Sequence, residues 1–269
     1  MPLAFTKLIG AGNDFVLIDR RRKGSVSRAQ GSHLAKKLCD RRFAVGADGV
    51  LVLESSRKAD FRMRIFNPDG SEAEMCGNGS RCAAYYVLKG KKGHVSFETL
   101  AGVLEADVKG EWVRLRLTEP TELKTQLSLE AAGRTFQVHA INTGVPHAVL
   151  FADDLETVDV ERIGREIRRH ALFQPRGTNV DFVKPQGPNK ISVRTYERGV
   201  EGETLACGTG VTASALMTAL LIGYGSPIEV LTRGRDRLKI YFRREGNFFK
   251  EVSLEGKVSR VFEGRMYDV

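Results

Sequence analysis

The sequence predicts a mixed α/β (α+β) fold of two pseudo-symmetric, homologous halves, each a sheet around a helix, with an active site in the cleft between them. Three observations predict it. Segments of the first half recur in order in the second. Short alternating or β-branched runs outnumber helical patterns. Two cysteines each stand where a strand-like run passes through a loop into a helical pattern.

The recurrence carries the most weight. Gly12-Asn13-Asp14-Phe15-Val16-Leu17 returns, with one residue of slack, as Gly144-Val145-Pro146-His147-Ala148-Val149-Leu150. Gly46-Ala47-Asp48-Gly49-Val50-Leu51-Val52 returns as Gly177-Thr178-Asn179-Val180-Asp181-Phe182-Val183. Glu74-Met75-Cys76-Gly77-Asn78-Gly79 returns as Leu205-Ala206-Cys207-Gly208-Thr209-Gly210, and the three shifts are 132, 131 and 131 residues. A single glycine-containing match arises by chance, but collinear matches at a constant shift mark a duplicated unit. Arg64 to Asn67 also stands before Cys76 much as Arg194 to Glu197 stands before Cys207. The halves join near Glu119 to Thr125, a polar stretch containing Pro120. The expected domains are 1–122, carrying Cys76, and 123–269, carrying Cys207, with the last strand packing back on the N-terminal half.

In chain order, the strand-like runs are Phe15 to Ile18, Val50 to Leu53, Phe61 to Phe66, Val95 to Thr99 and Trp112 to Leu117. The second half adds Ala148 to Phe151, Val180 to Val183, Ile191 to Tyr196 and Leu238 to Phe242. Helical spacing appears in Ser27 to Arg41, with Leu34 and Leu38 on one face, and in Val158 to His170, with Ile163 and Ile167. Two more helices follow the Cys-Gly-x-Gly motifs and end at Gly90 and Gly223. Lys184 to Asn189, with two prolines and a glycine, reads as a loop.

Composition narrows the function classes. With 42% hydrophobic and 28% charged residues in 269, the chain can bury a real core and stay in solution. The longest apolar stretch, Val211 to Ile222, is broken by threonines and serine and is too short for a bilayer. The N-terminus lacks a signal-peptide pattern, so a cytoplasmic, non-membrane protein is expected. The net charge of +9 comes from short basic clusters without interleaved aromatics. That is a basic solvated surface, and no nucleic-acid partner is expected.

The four cysteines, Cys39, Cys76, Cys82 and Cys207, fit neither zinc-ligand nor CxxC spacing and are too few for a disulfide scaffold. No metal constellation and no GxxxxGK phosphate loop occurs. Cys39 and Cys82 fall inside helical patterns and read as buried small hydrophobes. Cys76 and Cys207 are different, because each stands at a helix start in a matching context. A helix N-terminus favours a thiolate and offers free N–H groups to a carboxylate. The glycines that follow let a ligand approach the backbone. Two such ends around one pocket suit inversion at a carbon: one thiolate takes the proton from one face, and the opposite thiol supplies one to the other. Opposite protonation states make their titrations coupled.

Further motifs complete a recognisable pattern. They are Lys7-Leu8-Ile9-Gly10-Ala11-Gly12-Asn13-Asp14-Phe15, Phe66-Asn67-Pro68-Asp69-Gly70-Ser71-Glu72 and Cys76-Gly77-Asn78-Gly79-Ser80-Arg81-Cys82. Gly144-Val145-Pro146-His147, Gly177 to Phe182, Tyr196-Glu197-Arg198-Gly199 and Gly202-Glu203-Thr204 leading into Cys207-Gly208-Thr209-Gly210 follow in order. Over essentially its whole length the sequence resembles the diaminopimelate epimerases. The resemblance implies a pyridoxal-independent enzyme, with no cofactor, interconverting LL- and meso-2,6-diaminopimelate on the route to lysine and peptidoglycan precursors.

It also implies the site residues. Cys76 and Cys207 correspond to the catalytic bases, with Glu197 and His147 as the polar pair supporting them near the reacting amine. Gly77, Asn78, Gly208 and Thr209 correspond to the backbone ends holding the α-carboxylate. Asn13, Asn67, Asn179, Glu197 and Arg198 correspond to substrate-binding side chains. Two positions depart from the pattern: Val145, where many members have asparagine, and Gly49, where some have glutamine.

Two rival functions differ in class. One is a related cofactor-independent racemase acting on proline, hydroxyproline or another amino acid. The other is an amino-acid-binding protein on the same scaffold, which a missing cysteine or a broken glycine motif would mark, and neither occurs here. A small-molecule amino-acid substrate is the expected partner. The sequence leaves the oligomeric state open, with a homodimer as the working expectation.

Overall fold

An unbroken apolar run such as Val50-Leu51-Val52-Leu53 suits a strand covered on both faces. In the computed structural model, which describes residues 2–267, that run is fully buried. Val50 and Val52 join a core with Ala35 and Leu38 of one helix, while Leu51 on the alternate face lies beside Gly79 of another. The chain divides into two compact units: residues up to Arg116 together with those from Gly256 onward, and Leu117 to Glu255.

The first unit runs β1 (Leu3–Gly10), β2 (Asn13–Asp19), α1 (Arg28–Leu38), β3 (Gly49–Glu54), β4 (Phe61–Phe66) and β5 (Glu72–Ala73). Then come α2 (Gly77–Leu88), β6 (Gly93–Thr99), β7 (Gly102–Lys109) and β8 (Trp112–Arg116). The second runs β9 (Thr121–Ala131), β10 (Arg134–Asn142), β11 (Pro146–Phe151), α3 (Val160–Arg168), β12 (Asn179–Gly187) and β13 (Lys190–Glu197). It continues through β14 (Gly202–Thr204), α4 (Gly208–Ile222), β15 (Ile228–Thr232), β16 (Arg237–Glu245) and the start of β17 (Phe248–Met266), which from Gly256 onward belongs to the first unit.

One pairing scheme serves both units. In the first, β2–β3 and β4–β6 are parallel, and β1–β2, β3–β4, β4–β5, β6–β7 and β7–β8 are antiparallel. In the second, β11–β12 and β13–β15 are parallel, and β10–β11, β12–β13, β13–β14, β15–β16 and β16–β17 are antiparallel. A further strand closes each set: β9 lies antiparallel to β10, and Val258 to Met266 of β17 lie antiparallel to β1. The recurrence in sequence is therefore a recurrence of topology.

Among the described residues each unit holds two α-helices. The cysteine helix lies against several strands, α2 against β1, β2, β7 and β8 and α4 against β11, β12, β13, β15 and β16. The second helix covers the other side of the central strands, α1 over β3 and β4 and α3 over β12 and β13. Ser27 starts α1 with a capping box, its hydroxyl accepting from Gln30 N–H while Gln30 returns the bond to Ser27 N–H. Asp159 caps α3 in the same way, accepting from Arg162 N–H. Each of these helices crosses an aromatic ring at a glycine. A Cβ on Gly31 would overlap the Phe66 ring, and one on Gly164 would lie 2.5 Å from Tyr196 Cβ. Among the described residues no helix is long and apolar enough to cross a membrane.

The structure departs from the sequence expectations in three places. Lys184 to Gly187 are not a loop but the end of β12, and only Pro188 and Asn189 turn. Pro185 is tolerated there because β11 pairs with β12 only as far as Val183, which leaves the proline side of the strand without a ladder partner. Thr121 to Thr125 begin β9, so the irregular joint is the shorter stretch 117–120. Strands β1, β5, β7, β9, β10, β14, β15 and β17 lie outside the runs singled out from sequence. β9 shows why: it is exposed along most of its length, so its alternation is weak, and pairing with β10 defines it.

Candidate active site

Cys76 is the N-cap residue of α2, with extended backbone (φ −144°, ψ 119°) and a half-buried side chain. The hairpin leading to it is braced by a two-pronged ion pair, Arg64 Nε and Nη2 to Glu72 at 2.6 and 2.9 Å, while Arg64 Nη1 donates to Val26 C=O at 2.6 Å. The two glycines of the motif do different work. A Cβ on Gly79 would meet Leu51 Cδ2 at 3.0 Å, so this residue lets α2 settle on the sheet. A Cβ on Gly77 would meet nothing nearer than Leu115 Cδ2 at 4.0 Å, so the protein itself does not require glycine there. The helix ladder opens with Ser80 N–H to Cys76 C=O, which leaves the N–H groups of Gly77, Asn78 and Gly79 ahead of it.

Asn78 and Asn13 belong to one buried chain of hydrogen bonds. Asn78 Nδ2 donates to Asn13 Oδ1 at 2.7 Å, and Asn78 Oδ1 accepts from the fully buried Arg81 at 2.7 Å. Asn13 Nδ2 in turn donates to Asp48 at 3.1 Å. Arg41 ties Asp48 to Asp14 with 2.7 Å contacts, and Lys7 meets Asp14 at 2.7 Å. Burial pushes the Asp14 carboxyl up, but Arg41 and Lys7 outweigh it and hold the group well below the usual carboxylate range. Asn67 is not part of this chain. It is exposed in the turn after β4 and donates to Ser71 Oγ at 3.0 Å.

Cys207 repeats the arrangement in the second unit as the N-cap of α4 (φ −113°, ψ 112°). Its hairpin carries the matching brace, Arg194 to Glu203 at 2.7 and 2.7 Å, with Arg194 also donating to Leu155 C=O. Gly208 has room, its Cβ position lying 3.6 Å from Leu254 Cδ1, whereas a Cβ on Gly210 would overlap Asp181 Oδ1. Thr143 donates to Thr209 C=O at 3.0 Å and holds the motif loop.

Around Asp181 lies a second buried network. His147 Nδ1 meets Asp181 Oδ2 at 2.6 Å, and the Thr195 hydroxyl donates to Asp181 Oδ1 at 2.7 Å. Asn179 Nδ2 donates to His147 Nε2 at 3.3 Å, and Asn179 Oδ1 accepts from Arg198 N–H at 2.8 Å. The Arg198 guanidinium donates to Arg176 C=O at 3.0 Å. Glu197, at the end of β13, has its carboxyl pushed up by burial, and Asp181 adds to the push. A group raised in this way can exchange protons closer to neutrality.

Cys207 differs from the sequence expectation of a stabilised thiolate. Its sulfur is buried, 3.4 Å from Thr209 Oγ1. Burial first, then Glu197 and Asp181, push its thiol far above the ordinary range, and the Thr209 hydroxyl and Gly210 N–H offset only part of this. Desolvation and two carboxylates outweigh one helix end. Cys39 and Cys82 are buried, with thiols pushed up by burial to about 11 and about 12.

The two departures from the family pattern differ: Val145 makes a local backbone bond, and Gly49 sits where a side chain would be crowded. Val145 offers its C=O to Thr143 N–H at 3.2 Å. A Cβ on Gly49 would sit 3.1 Å from Phe66 C=O. Sequence reasoning missed Asp48, Asp181, Thr195 and the functions of Arg64 and Arg194. Both arginines stood in the recurring approach to the cysteines, which was the available signal. Asp181 was hidden because the matching position of the first half is apolar, Val50 by the 131-residue shift and Leu51 by strand register.

Comparison with known proteins agrees with this pattern. The family model described as diaminopimelate epimerase matches residues 5–121 and 139–261. A diaminopimelate epimerase of Aquifex aeolicus is 46% identical, covering 98% of each chain. Among solved structures, a phenazine biosynthesis protein of the PhzF family from Bacillus anthracis superposes with a TM-score of 0.77 at 16% identity, covering 99% of each chain. A hydroxyproline epimerase from Agrobacterium vitis gives a TM-score of 0.65, also at 16% identity, covering 98% of this chain and 91% of that one. These structural likenesses show a shared fold. With the family model matched across both halves and a full-length relative at nearly half identity, the chain belongs to the diaminopimelate epimerase family.

Proposed function

We propose that this chain is a cofactor-independent isomerase that interconverts LL- and meso-2,6-diaminopimelate, with Cys76 and Cys207 as the two acid/base groups. The observation that carries the reading is the pair of equivalent helix starts. Each has a cysteine at the N-cap and, directly after it, a glycine that no packing demands. The name of the full-length relatives supplies the substrate.

In this mechanism one thiolate removes the α-proton and the other thiol returns a proton to the opposite face. The carbanion formed between these steps is stabilised through its carboxylate by the N–H groups at Gly77, Asn78, Gly208 and Thr209. Asn13, Asn67, Asn179 and Arg198 bind the remaining polar groups of the substrate, with Arg198 gripping the distal carboxylate. Glu197 and His147 act beside the reacting amine and the Cys207 thiol. The cytoplasmic, small-molecule enzyme of lysine and peptidoglycan precursor synthesis, and the homodimer expected from sequence, form part of the same proposal.

Reduced protein incubated with LL-diaminopimelate, with no pyridoxal phosphate added, is expected to yield meso product by chiral chromatography. Folded, reduced protein that leaves the substrate unchanged would reject the assignment. Arg198→Ala is expected to weaken binding of this dicarboxylate far more than any inversion of proline or hydroxyproline. Equal effects would favour the related racemase instead.

A further inference from the structure

Each cysteine helix starts beside a buried ionic group, and the two groups carry opposite charge. In α2 it is Arg81, fully buried and bonded to Asn78 in the first turn. The matching residue of α4 is Thr212, whose hydroxyl simply returns to Gly208 C=O at 2.8 Å. Beneath α4 lies the fully buried Asp181, whose counterpart in the first unit, by strand register and by contact with the matching helix glycine, is the apolar Leu51.

Asp181 presses on the start of α4. Its Oδ1 occupies the space that a Cβ on Gly210 would need, so it sits against the first turn, where the helix dipole is positive. A Cys207 thiolate would rely on that same turn. Two anions would then compete for one helix end.

The polarity of the network makes both oxygens of Asp181 acceptors. A backbone N–H can only donate, so Arg198 N–H fixes Asn179 Oδ1 as the acceptor. Asn179 Nδ2 is then the donor to His147 Nε2, which leaves the imidazole proton on Nδ1, facing Asp181 Oδ2. Asp181 therefore receives two donated hydrogen bonds, from His147 and Thr195, the pattern a carboxylate accepts. The other ionisable group acting on Cys207 is Glu197, whose push has the same sign.

We propose that Asp181 decides which of the two thiols carries the proton at rest: its carboxylate holds the positive end of α4, keeps Cys207 as the thiol and leaves Cys76 as the resting base. The inference rests on the two-thiol reading above. Asp181 touches no reacting atom, so it is a positioning residue that acts through Cys207. The upward push that burial, Glu197 and Asp181 exert on this thiol points the same way.

The test is a pH titration of the full chain labelled with 13C at cysteine Cβ, whose shift reports thiol and thiolate directly; Cys76→Ser and Cys207→Ser identify the signals. In the unmodified protein Cys76 is expected to ionise at lower pH than Cys207. Asp181→Asn is expected to lower the Cys207 midpoint by a unit or more, about tenfold more thiolate at a fixed pH below both midpoints. Thr195→Val, which keeps the charge and removes a hydroxyl from the same carboxylate, is expected not to lower it. If Asp181→Asn does not fold, Asp181→Ser removes the same charge with a smaller side chain.

Three results would overturn the proposal: Cys207 ionising before Cys76, charge removal at Asp181 leaving the Cys207 midpoint in place, or Thr195→Val lowering it as far as Asp181→Asn. The titration needs no turnover, so its failure and a failure of the epimerase assignment are read separately. In an active enzyme, Asp181→Asn should also move the alkaline limb of the pH–rate profile to lower pH, in the direction that uses Cys207 as the acid.

Discussion

Gly208 and Gly210 lie two residues apart, yet packing demands glycine at the second and leaves room at the first, where the proposed function seats the substrate carboxylate. The Cβ position of Gly208 is open to within 3.6 Å of a leucine methyl, and that of Gly77 to within 4.0 Å. Gly77→Ala and Gly208→Ala are therefore expected to change unfolding free energy by no more than about 0.5 kcal/mol in urea titrations. The same variants should raise KM, because the methyl group occupies the carboxylate's approach. Gly210→Ala pushes into a buried carboxylate and should cost about 1–3 kcal/mol of stability. An unchanged KM in the first pair, or unchanged stability in Gly210→Ala, would contradict this division. At this scale the sequence displayed the two cysteines and their glycines, because they recur. It concealed Asp181, which one half alone possesses, and the upward push on the Cys207 thiol, which depends on burial that no motif records.

The hairpin before each cysteine is held by its arginine–glutamate pair, Arg64–Glu72 and Arg194–Glu203. Arg64 holds the Glu72 carboxyl below its ordinary value of 4.5. A carboxyl depressed in the folded state stabilises the protein fully above its unfolded value and loses that contribution as the pH falls through the folded value. Thermal melts of the unmodified protein should accordingly lose stability as the pH drops below 4.5, and Glu72→Gln should flatten that part of the curve. At neutral pH, Glu72→Gln removes the two-pronged partner of the buried guanidinium, which keeps Glu54 at 3.6 Å, and should cost about 1–3 kcal/mol. A cost near zero would show the brace to be dispensable. Elements were legible wherever a local signal was strong, as at the Ser27 cap of α1 and the glycine end of α4. They were not legible where pairing alone decides, as in β9 and the Pro185 end of β12, which is strand only because β13 bonds it.

Across the whole molecule, the same order of parallel and antiparallel pairings is laid down twice, and each unit carries a cysteine at the start of its more buried helix. The duplication was visible in sequence as a shift of about 131 residues, because the blocks that recur are the tight turns and helix starts, where glycine cannot be replaced freely. The exposed strands between them diverged and left no trace. The central claim is that the two equivalent helix starts supply two proton-transfer groups to one reaction. Incubation with LL-diaminopimelate in deuterium oxide, followed by NMR of the α-proton, tests it most directly in the unmodified protein and in Cys76→Ala and Cys207→Ala. The account predicts deuterium incorporation together with meso product in the unmodified protein, and inversion reduced at least about a hundredfold in each variant. Inversion persisting at the unmodified rate in either variant would contradict it.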